Sequence, residues 1–250
     1  MQKITKFLVL ATIFSAIVLV FIPVNTPSLF ESEELIQNLD DGDLIIIFNP
    51  GGWGDTPMEE AQDFFPIVEG MADVLDQWGH NVVVIPYNRA KEGILNKISA
   101  TKDFFAGYSF SSDTFAKDLD SIIEKFPDKK IILAGLSNGA AFINETYDKV
   151  SESLNDSLYA ISVGSPFWSE KAEGKNVLQI DNNGKDTLSG GKIGSLLLAT
   201  VKAPFRWFFS RTAGESVSLS KAFQAEGHSY SWSSPETRNS ILMFLEDNIR

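Results

Sequence analysis

The chain has 250 residues, enough for one domain of ordinary size and an appendage, and 44% of them are apolar, so a sizeable core can be buried. Its 21 Lys and Arg against 33 Asp and Glu give a formal charge of -12, which disfavours nucleic-acid phosphates and broad adhesion to anionic lipid. The absence of cysteine excludes disulfides, thiol nucleophiles and thiolate metal sites, and two histidines leave too little for a His-rich metal centre.

Lys3 and Lys6 precede an uncharged run from Phe7 to Ile22, which Pro23 ends. With its flanks the run approaches the ~20 apolar residues of a spanning helix. Residues 1–24 therefore read as a membrane anchor or a signal peptide. The uncleaved anchor is preferred, because no small-x-small site stands between Pro23 and Glu31. The lysines before the run and Glu31, Glu33 and Glu34 after it place the following domain on the extracytoplasmic side, secreted if the segment is cleaved. Residues 25–42 read as a polar tether.

From Asp43 onward the pattern alternates. Leu44 to Phe48 is a short continuous apolar run, as expected of a strand buried on both faces. Met58 to Trp78 has apolar residues at helical spacing, with Pro66 at the start of the main helix or kinking it. Asn81 to Ile85 is a second strand. Residues 88–111 look like an insertion carrying an aromatic cluster (Phe104, Phe105, Tyr108, Phe110) near the site side of a strand, and Arg89 suits a surface salt bridge or a substrate carboxylate. Ser112 to Phe126 is helical, with Ser112 and Asp113 as caps. Lys130 to Ala134, Leu158 to Val163 and Asn176 to Ile180 are strands, and Asn138 to Val150 is a helix. Residues 188–215 form a second insertion. Its apolar stretch from Ile193 to Phe209 is either a helix over the sheet, the preferred reading, or a lid dipping into a membrane interface. Ser216 to Phe223 is a candidate sixth strand, and Ser234 to Ile249 a closing helix. Strands separated by helices of this length imply an α/β domain over 43–250, its mostly parallel sheet covered on both faces. Ligands in such sheets sit at the carboxyl ends of the strands.

Gly135-Leu136-Ser137-Asn138-Gly139 has the form G-x-S-x-G, directly after the strand KIILA and directly before a helix. This is the context of a nucleophile elbow, in which small residues permit a sharp turn and the helix N-terminus favours developing negative charge. A plain small-residue turn is the alternative. A serine nucleophile needs a base. His228 follows the last candidate strand and precedes the closing helix, whereas His80 enters a strand at its amino end, the wrong end for a site. An acid to orient the imidazole should follow VLQI, where Asp181 and Asp186 both qualify. The Gly-rich loop after the first strand, Asn49-Pro50-Gly51-Gly52-Trp53-Gly54, lacks the lysine of a phosphate loop, and no G-x-G-x-x-G occurs.

IILAGLSNGAAF and WGHNVVVIPYNRA resemble the α/β-hydrolase superfamily over about residues 43–250. The resemblance implies that fold, compact and without the N-terminal antiparallel hairpin. It also implies a catalytic order of Ser, acid, His, here Ser137, Asp186 and His228, since the acid usually follows a Gly-containing turn such as NNGKD. It further implies an oxyanion hole made by the Asn138 N–H with that of Gly52 or Trp53, although Asn49-Pro50 departs from the His-Gly of relatives. Hydrolysis of a small-molecule or lipid ester through an acyl-serine follows, with no cofactor, no metal and no nucleic acid. A membrane-displayed binding module without catalysis and an acyltransferase on the same triad are the alternatives.

Overall fold

The computed structural model describes residues 23–24, 26–29, 42–91, 93–191 and 226–250. The apolar run expected as an anchor, the stretch from 193 to 209 and the candidate strand at 216–223 lie outside these residues. Among the described residues, no helix is long and apolar enough to cross a membrane. Within the segment read as a tether, Leu29 is buried, its N–H is held by Asp118 Oδ2 at 2.8 Å, and Pro27 O accepts from Tyr87 OH at 2.7 Å.

Among the described residues, five strands form one sheet in the order β2-β1-β3-β4-β5, all pairings parallel. They are β1 (Leu44–Asn49), β2 (Val82–Pro86), β3 (Lys130–Leu136), β4 (Leu158–Val163) and β5 (Val177–Ile180). The helices are α1 (Phe65–Gln77), α2 (Ile94–Phe105), α3 (Ser109–Lys125), α4 (Asn138–Tyr147) and α5 (Pro235–Asn248). The sheet is double-faced because alternate side chains of each strand point to opposite sides. Ile45, Ile47, Ile131 and Leu133 pack with Phe115 and Leu119 of α3 and Phe142 of α4. Leu44, Ile46, Ile132 and Ile161 pack on the other face with Ile67 and Met71 of α1 and Ile241 and Leu245 of α5.

Three local expectations change. The helix expected from Met58 is a short 3-10 turn at Met58–Glu60 followed by α1, whose first turn holds Pro66 where a missing N–H costs nothing. The region read as an insertion contains α2. Helix α3 begins at Ser109, after Tyr108 in the left-handed region (φ 62°), rather than at a Ser112 cap. Ser112 Oγ instead donates back to Tyr108 O at 2.7 Å, and Asp113 pairs with Lys149 at 2.6 Å. The start of α3 is served by the buried Asp103 carboxylate of α2, which accepts from Phe110 N (3.2 Å), Ser111 N (3.4 Å) and Ser111 Oγ.

In this strand order the direction of winding reverses between β1 and β3. Their carboxyl ends therefore bound the crevice where doubly wound sheets bind ligands. The Gly-rich loop leaves β1 there and Ser137 leaves β3 there.

Candidate active site

Ser137 sits between β3 and α4 with φ 54° and ψ -118°, a conformation that side-chain-bearing residues adopt at a cost of order 1–3 kcal/mol. The neighbours hold it there. Ser137 N donates to Val163 O of β4 at 2.8 Å, and Ser137 O accepts the first helical bond, from Ala141 N at 3.0 Å. A Cβ on Gly135 would stand 2.6 Å from the Gly139 carbonyl, and one on Gly139 would stand 2.3 Å from Asn49 O. Both glycines of the motif are thus required by close approach: the first lets α4 fold back over β3, the second lets α4 touch the exit of β1. Among the described residues Ser137 Oγ makes no hydrogen bond.

His228 and Asp186 are joined, Nδ1 to Oδ2, at 2.8 Å. Asp186 rather than Asp181 is the carboxylate at the imidazole. Asp181 turns its Oδ1 to Gly184 N at 3.1 Å inside the Asn182-Asn183-Gly184 turn, whose three residues all have positive φ. The loop carrying Asp186 is stitched to the one carrying His228 by Thr187 N to Glu226 O (3.0 Å) and Asn182 Nδ2 to Gly227 O (2.8 Å). The imidazole lies on Gly164: a Cβ there would be 2.7 Å from His228 Cε1. Gly164 follows Val163, the residue that accepts from Ser137 N, so the imidazole stands at the end of β4 beside the elbow at the end of β3.

The Asp186 side chain is fully buried, yet no oxygen lacks a partner. Oδ2 accepts from His228, from Ser189 Oγ at 2.8 Å and from Tyr230 OH at 2.5 Å; Oδ1 accepts from Leu188 N at 2.8 Å and Ser189 N at 3.3 Å. Burial pushes the carboxyl up, but the hydrogen bond and charge of His228, with the hydroxyls of Tyr230 and Ser189, outweigh it and hold it at about 2. Burial and the adjoining carboxylate push the Tyr230 hydroxyl upward, keeping it a donor. Tyr230 and Ser189 escaped sequence reasoning. The available signal was the spacing His228-Ser229-Tyr230, which in an extended segment puts both rings on one side. Trp232 then packs its ring against Gly70 of α1, pinning the segment from the other end.

On the loop after β1, Gly52 O accepts from Asn138 Nδ2 at 3.2 Å, and Gly52 has φ 60°. Gly52, Trp53 and Asn138 border a narrow cleft together with Arg89, Phe104 and Tyr108. Arg89 is not in a surface salt bridge: it is 5% exposed and donates to backbone carbonyls at this same loop. The aromatic cluster belongs to α2, α3 and the turn joining them, where Phe104 and Tyr108 meet edge to face at 6.0 Å. His80 lies at the opposite end of the sheet, paired with Asp43 at 2.8 Å. Among the described residues, no group of three or more His, Asp or Glu side chains is arranged to hold a metal ion.

This is a doubly wound parallel sheet with a strained G-x-S-x-G turn at its switch point, the strand–turn–helix context in which α/β-hydrolases carry a nucleophile elbow. No protein-family model matches the chain, and no curated protein matches it. Among solved structures it is similar to a Trichoderma reesei cutinase in complex with a C11Y4 phosphonate inhibitor, at 17% identity and a TM-score of 0.47, over 60% of this chain and 65% of that one. The matched part thus spans less than two thirds of the cutinase chain.

Proposed function

We propose that the chain is a serine hydrolase of carboxylic ester-type bonds. The observation that carries this reading is the fully partnered, buried Asp186 joined to His228, with the imidazole seated on Gly164 beside the strained elbow of Ser137. His228 takes the Ser137 proton as Oγ attacks the acyl carbon and returns it to the leaving alcohol; water then repeats the sequence to release the acid. Asp186 fixes the tautomer with the proton on Nδ1, leaving Nε2 as the base. The N–H groups of Asn138 and of Gly52 or Trp53 receive the oxyanion. A non-catalytic binding module would not need Asp186 and His228 to meet, and their 2.8 Å contact favours catalysis.

The cleft shares Phe104 and Tyr108 with a wider groove of about 690 Å³, also lined by Phe105, Ala141 and Trp168. Its aromatic walls suit an apolar acyl or alcohol group, consistent with a lipid-like ester. The run from Phe7 to Ile22 serves as anchor or leader for extracytoplasmic display; protease protection in spheroplasts and carbonate extraction test that assignment.

Steady-state and burst kinetics on p-nitrophenyl esters test the activity. Wild type should release a burst of p-nitrophenol, while Ser137→Ala and His228→Ala should fall by roughly 10³-fold or more. Added alcohol acceptors should leave the free acid as the main product; predominant transfer to alcohol would make the chain an acyltransferase. Full activity in Ser137→Ala would overturn the proposal.

A further inference from the structure

Arg89 follows β2 and turns inward to the crevice between β1 and β3, where a cation is unexpected. It is 5% exposed, and its guanidinium stands beside an edge-to-face pair of rings, 5.3 Å from the centroid of Tyr108 and 5.5 Å from that of Phe142. No carboxylate pairs with it among the described residues. Instead Nη2 donates to Pro50 O at 2.7 Å and Nη1 to Asn138 O at 2.8 Å, and Nη2 also reaches Gly52 O at 3.5 Å. A single side chain therefore ties the loop after β1 to the first residue of α4. Gly54 makes room for it: a Cβ at that position would stand 2.6 Å from Arg89 Nε.

The carbonyls it holds belong to the very segments that carry the oxyanion donors. A peptide unit is planar and trans, so its N–H points opposite to its C=O. Gly52 O accepts from Asn138 Nδ2 at 3.2 Å and faces Arg89 Nη2 at a longer 3.5 Å, which aims the Trp53 N–H away from the guanidinium. A carbonyl that accepts from a cation also polarises its own peptide unit, making that N–H a stronger donor. We infer that Arg89 is a positioning residue for oxyanion stabilisation, with the Asn138 side chain as its helper: together they set the direction and donor strength of the Trp53 N–H relative to that of Asn138. The inference rests on the reading of Ser137 as nucleophile. Arg89 itself touches no reacting atom. Lysine is a poor substitute, because a single ammonium cannot hold carbonyls in three directions with a planar fork.

The test compares wild type with R89M, R89K and N138A, using p-nitrophenyl butyrate for turnover and a fluorophosphonate for the rate of serine phosphonylation. Circular dichroism and thermal melting establish that each protein is folded, and rates are expressed per active site titrated. Removing a whole oxyanion donor costs about 10²–10³-fold in turnover. Misaligning one should cost R89M about 10–100-fold in kcat, R89K somewhat less and N138A a few-fold, with phosphonylation slowing in parallel and KM within about threefold of wild type. A merely structural role would lower melting temperature and the number of active sites but leave the rate per site untouched. Wild-type rates per site in folded R89K and N138A would overturn the inference, as would a rise in KM with kcat unchanged, whether or not R89M folds. Failure of folded wild type to react with the fluorophosphonate is a different result, removing the hydrolase reading itself.

Discussion

The Asp186–His228 half of the candidate site is a web of side chains around one carboxylate, whereas the Ser137 half is almost wholly backbone. Asp186 is held by His228, Tyr230 and Ser189 side chains plus two N–H groups. Ser137 is held by its own N–H to Val163 O and by glycines that let α4 press against β3 and β1. The first half is specified by polar chemistry and answers to pH. The second is specified by the absence of side chains and answers to steric bulk.

The largest effect should come from breaking the polar half at its centre. Asp186→Asn keeps the shape but removes the charge which, in the proposed mechanism, stabilises the imidazolium, and should lower kcat about 10³–10⁴-fold in ester assays with little change in KM. Gly139→Ala breaks the backbone half. Its Cβ would meet Asn49 O at 2.3 Å, a backbone atom that cannot swing aside, so urea denaturation should show a loss of roughly 2–4 kcal/mol. Acid should weaken the polar half alone. The Asp186 carboxyl titrates at about 2 in the fold against an ordinary 3.8, so it contributes stability at pH values above about 4 that is lost as pH falls through about 2. That contribution is about 2 kcal/mol, read as the difference in acid-unfolding profiles between wild type and Asp186→Asn. Tyr230→Phe removes one charge-assisted bond of several, and should cost about 1–2 kcal/mol and move the acid transition to higher pH. His80→Ala, at the far end of the sheet, should leave kcat/KM within about twofold of wild type.

The same contrast explains what could be read from sequence. Strands β1, β3 and β4 were legible as unbroken apolar runs because both faces are covered. The elbow was legible because steric demands leave a mark at fixed spacing: glycines at 135 and 139 around a serine, between strand and helix. His228 was legible because only two histidines exist and the other stands at the amino end of a strand. Helix α2 was not, since it inverts the usual pattern: the polar Ser99 and Asp103 are buried while the apolar Leu95 and Phe105 are exposed. Tyr230 and Ser189 were illegible because a hydroxyl aimed at a carboxylate is ordinary composition until the two loops are docked. Arg89 was misread for a related reason: a lone cation after a strand looks solvent-exposed, and only the fold reveals the ring of carbonyls that receives it.

The central claim is that Ser137 is a nucleophile activated by His228 and Asp186, and peptide mapping after fluorophosphonate treatment tests it most directly. One adduct per chain should form, on the peptide containing Ser137, absent from Ser137→Ala and formed far more slowly in His228→Ala. A folded wild-type protein that forms no adduct, or forms it on another residue, would contradict it.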